Sequence, residues 1–297
     1  MMGYPIYASR EQLIEWAKEF PCSACRGSGK TDKGFYCSAC QGCGIDQNSP
    51  ASYDWRQMNG TPALTIITPT FNKGKYLRDA AHCVFMLTWW DWVWWIILDN
   101  ANEETKEVAF SIRDDPKMCG KVKIFEETFP EAERFKECRP AAMINKYYPM
   151  VETKYLYWFS DDDLLDRSGI ERLIGALESH PEWDIAHGRC VITHELKDGS
   201  YVVYGELGGR SDIGLGTGIM PLCQIDGGQI LQTKRSYDRL GGWQLTTLMA
   251  HAAVVDGVYM NKLAEHFRFH YVDTPLLTHR RTKLSVYITP EALGDHR

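Results

Sequence analysis

The chain has 297 residues, of which 44% are hydrophobic and 24% charged, and its formal net charge is −6. That size and composition suffice for one large α/β domain plus a small module. The acidic balance excludes a global field attracting nucleic acid or anionic membrane, although a local basic patch stays open. No apolar run approaches the roughly 18 residues that a membrane span requires. The first dozen residues lack the basic-then-apolar build of a signal peptide. Ten cysteines are many, but their spacing suits metal and free thiols better than a secreted disulfide frame. A reducing, cytoplasmic compartment is the expectation.

Residues 1–20 hold one predicted helix. Ser9 with Gln12 three positions later forms a capping-box pattern, and Leu13, Trp16, Ala17 and Phe20 share a helical face. Residues 21–44 carry CSACRGSG and then CSACQGCG. Thiolates two residues apart can grip one Zn²⁺ from a tight turn, so Cys22, Cys25, Cys37 and Cys40 are expected to form a structural Cys₄ site; four unrelated buried cysteines are the alternative. The repeat resembles the zinc-binding cysteine repeats of DnaJ-type chaperones, over these residues alone, and no chaperone activity follows from it. So short a unit has almost no core, and the metal must supply its folding energy. Residues 45–61, rich in Asn, Ser, Pro and Gly, read as a linker.

A large domain is predicted over residues 62–281, with a tail at 282–297. Residues 63–68 read as a buried strand. Tyr76, Leu77, Ala80, Ala81, Val84 and Phe85 give a helical face to 75–87. Five tryptophans crowd residues 89–95. They can stack on bases or sugars, but Val93, Ile96, Ile97 and Leu98 continue a buried strand that favours packing. A helix (104–113), a strand (121–126) and a helix (139–150) lead to a strand at Tyr155. This alternation predicts a mostly parallel, doubly wound sheet. Further on, the pattern predicts a helix from Asp166 or Ser168, a hairpin turning at Asp198-Gly199 and a glycine-rich stretch at 208–218. A helix at 234–240, a helix holding Asp256 and a strand at 267–273 complete the domain.

The predicted strand Tyr155–Phe159 runs into Ser160, Asp161, Asp162 and Asp163. Adjacent carboxylates raise one another's pKa unless a counter-charge is present, and an oxygen-preferring cation, Mg²⁺ or Mn²⁺, is a natural partner. A solvated acidic loop is the bland alternative. Ligands in open α/β sheets bind beyond the carboxyl ends of the strands, which is where these residues fall.

Several segments in order, TIITPTFNKGKYL, LDNANEET, CRPAAMINKYY, FSDDDLLD and IDGGQILQTKRSYDRLGGW, resemble the GT-A-fold inverting glycosyltransferase family 2, the family of the spore-coat polysaccharide glycosyltransferase. The likeness spans about residues 63–281. It implies a GT-A fold, Rossmann-like with a mostly parallel sheet, and metal-dependent inverting transfer of a sugar from a nucleotide-sugar, a UDP-sugar first, to a hydroxyl. By this resemblance Thr70 and Phe71 line the base pocket, Asp99 accepts from the base imide, and Arg139 sits near base or diphosphate. Asp161 takes the ribose hydroxyls, while Asp163, with Asp162, holds Mn²⁺ or Mg²⁺. Asp256 is the matching catalytic base, although Asp is also an ordinary helix N-cap. Asp226 and Trp243 are implied on the acceptor side, with core packing an equal reading for Trp243. His279 is implied beside the diphosphate or metal, although a lone His is more often structural.

The acceptor is expected on a soluble glycan or protein. A hydroxylated base in DNA is the second candidate, raised by the zinc unit and the tryptophans and opposed by the acidic charge. A non-catalytic GT-A and zinc binding protein is the reading from another class, and nucleotidyl transfer a third. The sequence does not fix the oligomeric state.

Overall fold

The structure is a computed structural model that describes residues 62–118, 120–130, 137–208, 211–222, 224–244 and 255–282. The predicted N-terminal helix, the Cys₄ zinc site, the linker and residues 283–297 lie outside the described residues.

Strand β1 (Leu64–Thr70) is buried along its whole length, as is β2 (Trp92–Asp99). They pair in parallel with each other, and β1 also pairs in parallel with β4 (Tyr155–Trp158). β3 (Val122–Glu127) continues the parallel array on β2. Burial on both faces explains the largely apolar composition of β1 and β2, whereas β3 (VKIFEE) is only partly buried. Alternate side chains feed two cores. Leu64, Ile66, Trp92, Trp94, Tyr155 and Tyr157 pack with α1 (Gly74–Phe85), α2 (Glu103–Asp114) and α4 (Gly169–Ser179). Ile67, Val93, Trp95, Ile97 and Leu156 pack with α3 (Arg139–Tyr147) and α6 (Val255–Ala264). Trp92, Trp94 and Trp95 are thus core residues, and Trp94 Nε1 donates to Thr68 Oγ1 at 2.9 Å. Helix α3 is shorter than its pattern predicted, giving way to a 3₁₀ turn at Tyr148–Met150 where Pro149 cannot donate to the ladder.

The second half departs from the expected mostly parallel sheet. The strand order is β3-β2-β1-β4-β9-β6-β10-β5, and β9 (Ile230–Thr233) lies antiparallel to both β4 and β6 (Ile185–Glu195). β6 and β10 (Arg268–Arg281) are parallel, but β5 (Leu164–Leu165) and β8 (Ile213–Gly214) run antiparallel to β10, and β7 (Tyr201–Leu207) antiparallel to β6. The β6–β7 pair is antiparallel because a tight turn joins it, whereas helices lie between β6 and its parallel neighbour β10. Gly199 takes a φ of 84° in the β6–β7 turn, as the Asp-Gly signal predicted.

Among the strands not fully legible, β9 was not predicted and β10 was predicted only in part. β9 is four residues long and directly precedes α5 (Lys234–Leu240), whose N-cap Thr233 is also the strand's last residue. β10 was expected to stop at Asp273, yet it runs on through Pro275. Register shifts on either side of Pro275 absorb the missing N–H donor.

Candidate active site

The strand ends β1, β2 and β4 converge on one edge of the sheet. Two left-handed asparagines turn the chain there, Asn72 (φ 51°) after β1 and Asn100 (φ 53°) after β2. Asn72 Oδ1 accepts from the Asn102 N–H at 2.7 Å, tying the two loops together. Phe71 beside it is half-buried.

Asp161, Asp162 and Asp163 are all buried, so the solvated-loop reading fails. Each carboxylate is compensated differently. Asp161 accepts from the Thr70 hydroxyl at 2.6 Å and lies 3.3 Å from Lys73 Nζ. Asp162 accepts from Lys73 Nζ and from Ser160 Oγ, both at 2.7 Å. Asp163 accepts the Arg280 backbone N–H at 2.9 Å and faces His279 Nδ1 at 3.2 Å. Burial pushes the Asp161 carboxyl up to about 6 against the pull of Lys73. For Asp162 burial also pushes upward, but the Lys73 charge and its hydrogen bond win, and the carboxyl is held below its ordinary value. Burial raises Asp163 despite His279. On His279 burial opposes protonation, but Asp163 and then Asp226 outweigh it and raise the imidazole to about 9.

Asp226 reaches the same place from another element. It caps the 3₁₀ turn Gly227–Gln229, accepting from the Gly228 N–H at 2.8 Å. Ligand atoms of Asp163, Asp226 and His279 lie within 4.8 Å of one another. Two carboxylate oxygens and one imidazole nitrogen suit Mn²⁺ well and Mg²⁺ less well, because imidazole is a borderline ligand and Mg²⁺ prefers oxygen. The donor set therefore fits the divalent cation that the sequence implied. Asp162, implied with Asp163 for the cation, turns to Lys73, while Asp226 and His279, the latter already implied beside the metal or diphosphate, lie next to Asp163.

Asp256 stands in the first turn of α6, and its Oδ2 accepts the Gly227 N–H at 2.9 Å. Burial, then the Asp226 charge, push its carboxyl up to about 6. Asp99, at the end of β2, is engaged by Arg139: Nε and Nη2 both donate to Oδ1, at 3.1 and 2.9 Å. Arg139 also meets Glu137 at 2.9 Å, and its guanidinium stacks 3.7 Å from the Phe129 ring centroid. Trp243 is buried. It stacks on Tyr259 (centroids 4.9 Å, 14°) and meets Trp158 edge-on (4.8 Å). Asn145 exchanges two hydrogen bonds with the Trp243 backbone, at 2.6 and 2.7 Å.

Sequence reasoning missed Lys73 and Arg280. The signal for Lys73 was its position in the loop after β1, opposite a run of carboxylates that lacked a counter-charge. Arg280 had no local signal, because its partners lie 118 and 201 positions away.

Residues 65–199 match the family model "Glycosyl transferase family 2". Over this stretch the chain is similar to the family 2 glycosyltransferases. Protein CgeD of Bacillus subtilis (strain 168) is 24% identical over 139 residues, covering 47% of this chain and 32% of CgeD. TarS 1–349 of S. aureus, in complex with UDP-GlcNAc, superposes with a TM-score of 0.56 and 10% identity, over 77% of this chain and 62% of TarS 1–349. The mannosyltransferase PcManGT of Pyrobaculum calidifontis, in complex with GDP-Man and Mn²⁺, gives 0.50 and 13% over 75% and 57%. The chain thus spans about a third of the curated relative and less than two thirds of these structural neighbours. The architecture is a GT-A-like α/β glycosyltransferase fold with a mixed sheet. No helix among the described residues is long and apolar enough to cross a membrane.

Proposed function

We propose that this glycosyltransferase domain carries out metal-dependent inverting transfer of a sugar from a UDP-sugar to a hydroxyl on a glycan or protein. The observation that carries the reading is the convergence of Asp163, Asp226 and His279 beside Asp256. UDP-GlcNAc in TarS and GDP-Man with Mn²⁺ in PcManGT support a nucleotide-sugar donor and a divalent cation.

In this reading Asp163, Asp226 and His279 hold Mn²⁺ or Mg²⁺, whose chemistry there is neutralisation of the charge on the departing diphosphate. Asp161, held by the Thr70 hydroxyl at the edge of the base pocket, meets the ribose, and Asp162 serves this side of the site through Lys73. Phe71 and the Asp99–Arg139 pair bound the base pocket. Arg139 orients Asp99 by donating twice to its Oδ1, and a carboxylate is suited to accept an imide N–H. Asp256 removes the acceptor proton as the acceptor oxygen bonds to the anomeric carbon and the bond from that carbon to the diphosphate breaks. A carboxyl raised by burial is matched to this task near neutral pH. Asp226, next to Gly227, orients Asp256 as well as contributing to the cation set. Trp243 backs the acceptor side by holding Trp158.

The test is UDP release from a panel of UDP-sugars with Mn²⁺, followed by mass spectrometry of the acceptor pool. Asp256→Asn should lose at least about 10²-fold in rate while keeping UDP affinity; full activity in that variant ends the assignment. The Cys₄ proposal is tested separately by zinc content per chain in the wild type and in Cys25→Ser.

A further inference from the structure

Arg280 is a buried charge in the last strand that contacts three separate parts of the domain. Its backbone N–H donates to Asp163 Oδ1 at 2.9 Å, and its side-chain Nε donates to the Asp162 carbonyl. That carbonyl belongs to the rigid peptide plane whose nitrogen is that of Asp163. One residue therefore grips Asp163 at its carboxylate and at the peptide unit that precedes its Cα. Nη1 donates to Asp79 Oδ2 on α1 at 2.6 Å. The guanidinium carbon lies 5.3 Å from the ring centroid of Tyr76, also on α1, and 5.6 Å from that of Tyr201 on β7. A planar, always-charged fork can serve several directions at once, and a lysine cannot.

We infer that Arg280 is a positioning residue: it sets the peptide between Asp162 and Asp163 so that the Asp163 carboxylate faces Asp226 and His279. The inference rests on the cation-binding reading above and goes beyond it, because Arg280 itself contributes no ligand atom. The bonds to Asp79 and the two tyrosine faces hold the guanidinium in place, so the orientation of Asp163 depends on α1 and on the β6–β7 hairpin. Residues that orient metal ligands typically carry about 10–100-fold in metal affinity.

The experiment is titration of Mn²⁺ alone into the whole chain, with free Mn²⁺ counted by electron paramagnetic resonance and thermal unfolding followed in parallel. Arg280→Lys keeps the buried charge but supplies one donor group, and should bind Mn²⁺ about tenfold more weakly. Wild-type affinity in Arg280→Lys overturns the inference, whatever happens to the melting temperature, since that result describes a residue that only stabilises. If Arg280→Lys does not fold, Asp79→Ala decides in the same way, because Asp79 is about half exposed (49%) and its loss frees one end of the guanidinium. Absence of Mn²⁺ binding in the wild type overturns the cation reading itself, an outcome distinct from equal binding in wild type and variant.

Discussion

The backbone N–H of Gly227 donates to Asp256 Oδ2 across 2.9 Å, and Gly227 directly follows Asp226. A Cβ at Gly227 would lie 2.5 Å from Trp158 Cζ3 and 3.0 Å from Asp256 Cβ. No side chain fits without displacing the indole or the carboxylate. Gly227→Ala should therefore move Asp256 relative to the cation ligands while leaving the sheet intact. A misplacement of about 1 Å can cost on the order of 10²-fold, and a drop of that size in kcat/KM is expected with unchanged far-ultraviolet circular dichroism. Near-wild-type kinetics would detach Gly227 from the site.

The pH dependence of transfer follows from the same aspartate. Burial, then the Asp226 charge, raise the Asp256 carboxyl to about 6, and a general base acts only when deprotonated. With Mn²⁺ saturating at each pH, kcat/KM should be level above neutrality and fall about tenfold per unit below about 6. A kcat/KM profile with its acid limb near 4 would mean that Asp256 is not the titrating base, since kcat/KM reports the free enzyme.

β2 was readable because burial on both faces writes an unbroken apolar run, Trp92–Leu98, and β1 and β4 show the same pattern in shorter form. The carboxylate run at 161–163 was readable as a candidate site for a related reason: it follows such a strand. What escaped depended on pairings distant in sequence. β9 shows four residues of pattern, and its antiparallel place between β4 and β6 is set by partners rather than by its own periodicity. Asp163, Asp226 and His279 are spread over 117 positions of chain, so nothing local marks them as neighbours. Resemblance supplied their names, but it set Asp162 beside Asp163, and only the fold turns Asp162 toward Lys73. The zinc pattern was legible from spacing alone, and it falls outside the described residues.

Trp243 separates packing from recognition. Its ring is buried between Tyr259 and Trp158, and among the described residues Nε1 has no hydrogen-bond partner. Trp243→Phe should thus retain most stability, because no hydrogen bond is forfeited. Trp243→Ala should lose about 3–5 kcal/mol, the usual range for an aromatic truncated in a core. Denaturant unfolding of the two variants checks this. If Trp243→Phe unfolds like wild type but shows a raised KM for acceptor alone, the indole contacts acceptor in addition to packing.

His187 provides a pH effect on stability that is separate from catalysis. It is fully buried on β6, with Nε2 3.2 Å from the Ser211 carbonyl oxygen and its ring 5.4 Å from that of Tyr271. Burial, opposed by the Ser211 carbonyl and Asp212, lowers its pKa to about 4, against about 6.5 in an unfolded chain. Between those values the unfolded state binds the proton that the folded state refuses, so stability rises with pH across this window. The contribution is complete above about 6.5 and is progressively lost as pH falls toward about 4, on the order of 3 kcal/mol in all. His187→Gln cannot take up the proton and can still donate to Ser211 through its amide. The melting temperature of the wild type should fall from pH 7 to pH 5 more steeply than that of His187→Gln. Parallel slopes in the two proteins would place the acid sensitivity elsewhere, with the buried carboxylates the next groups to test.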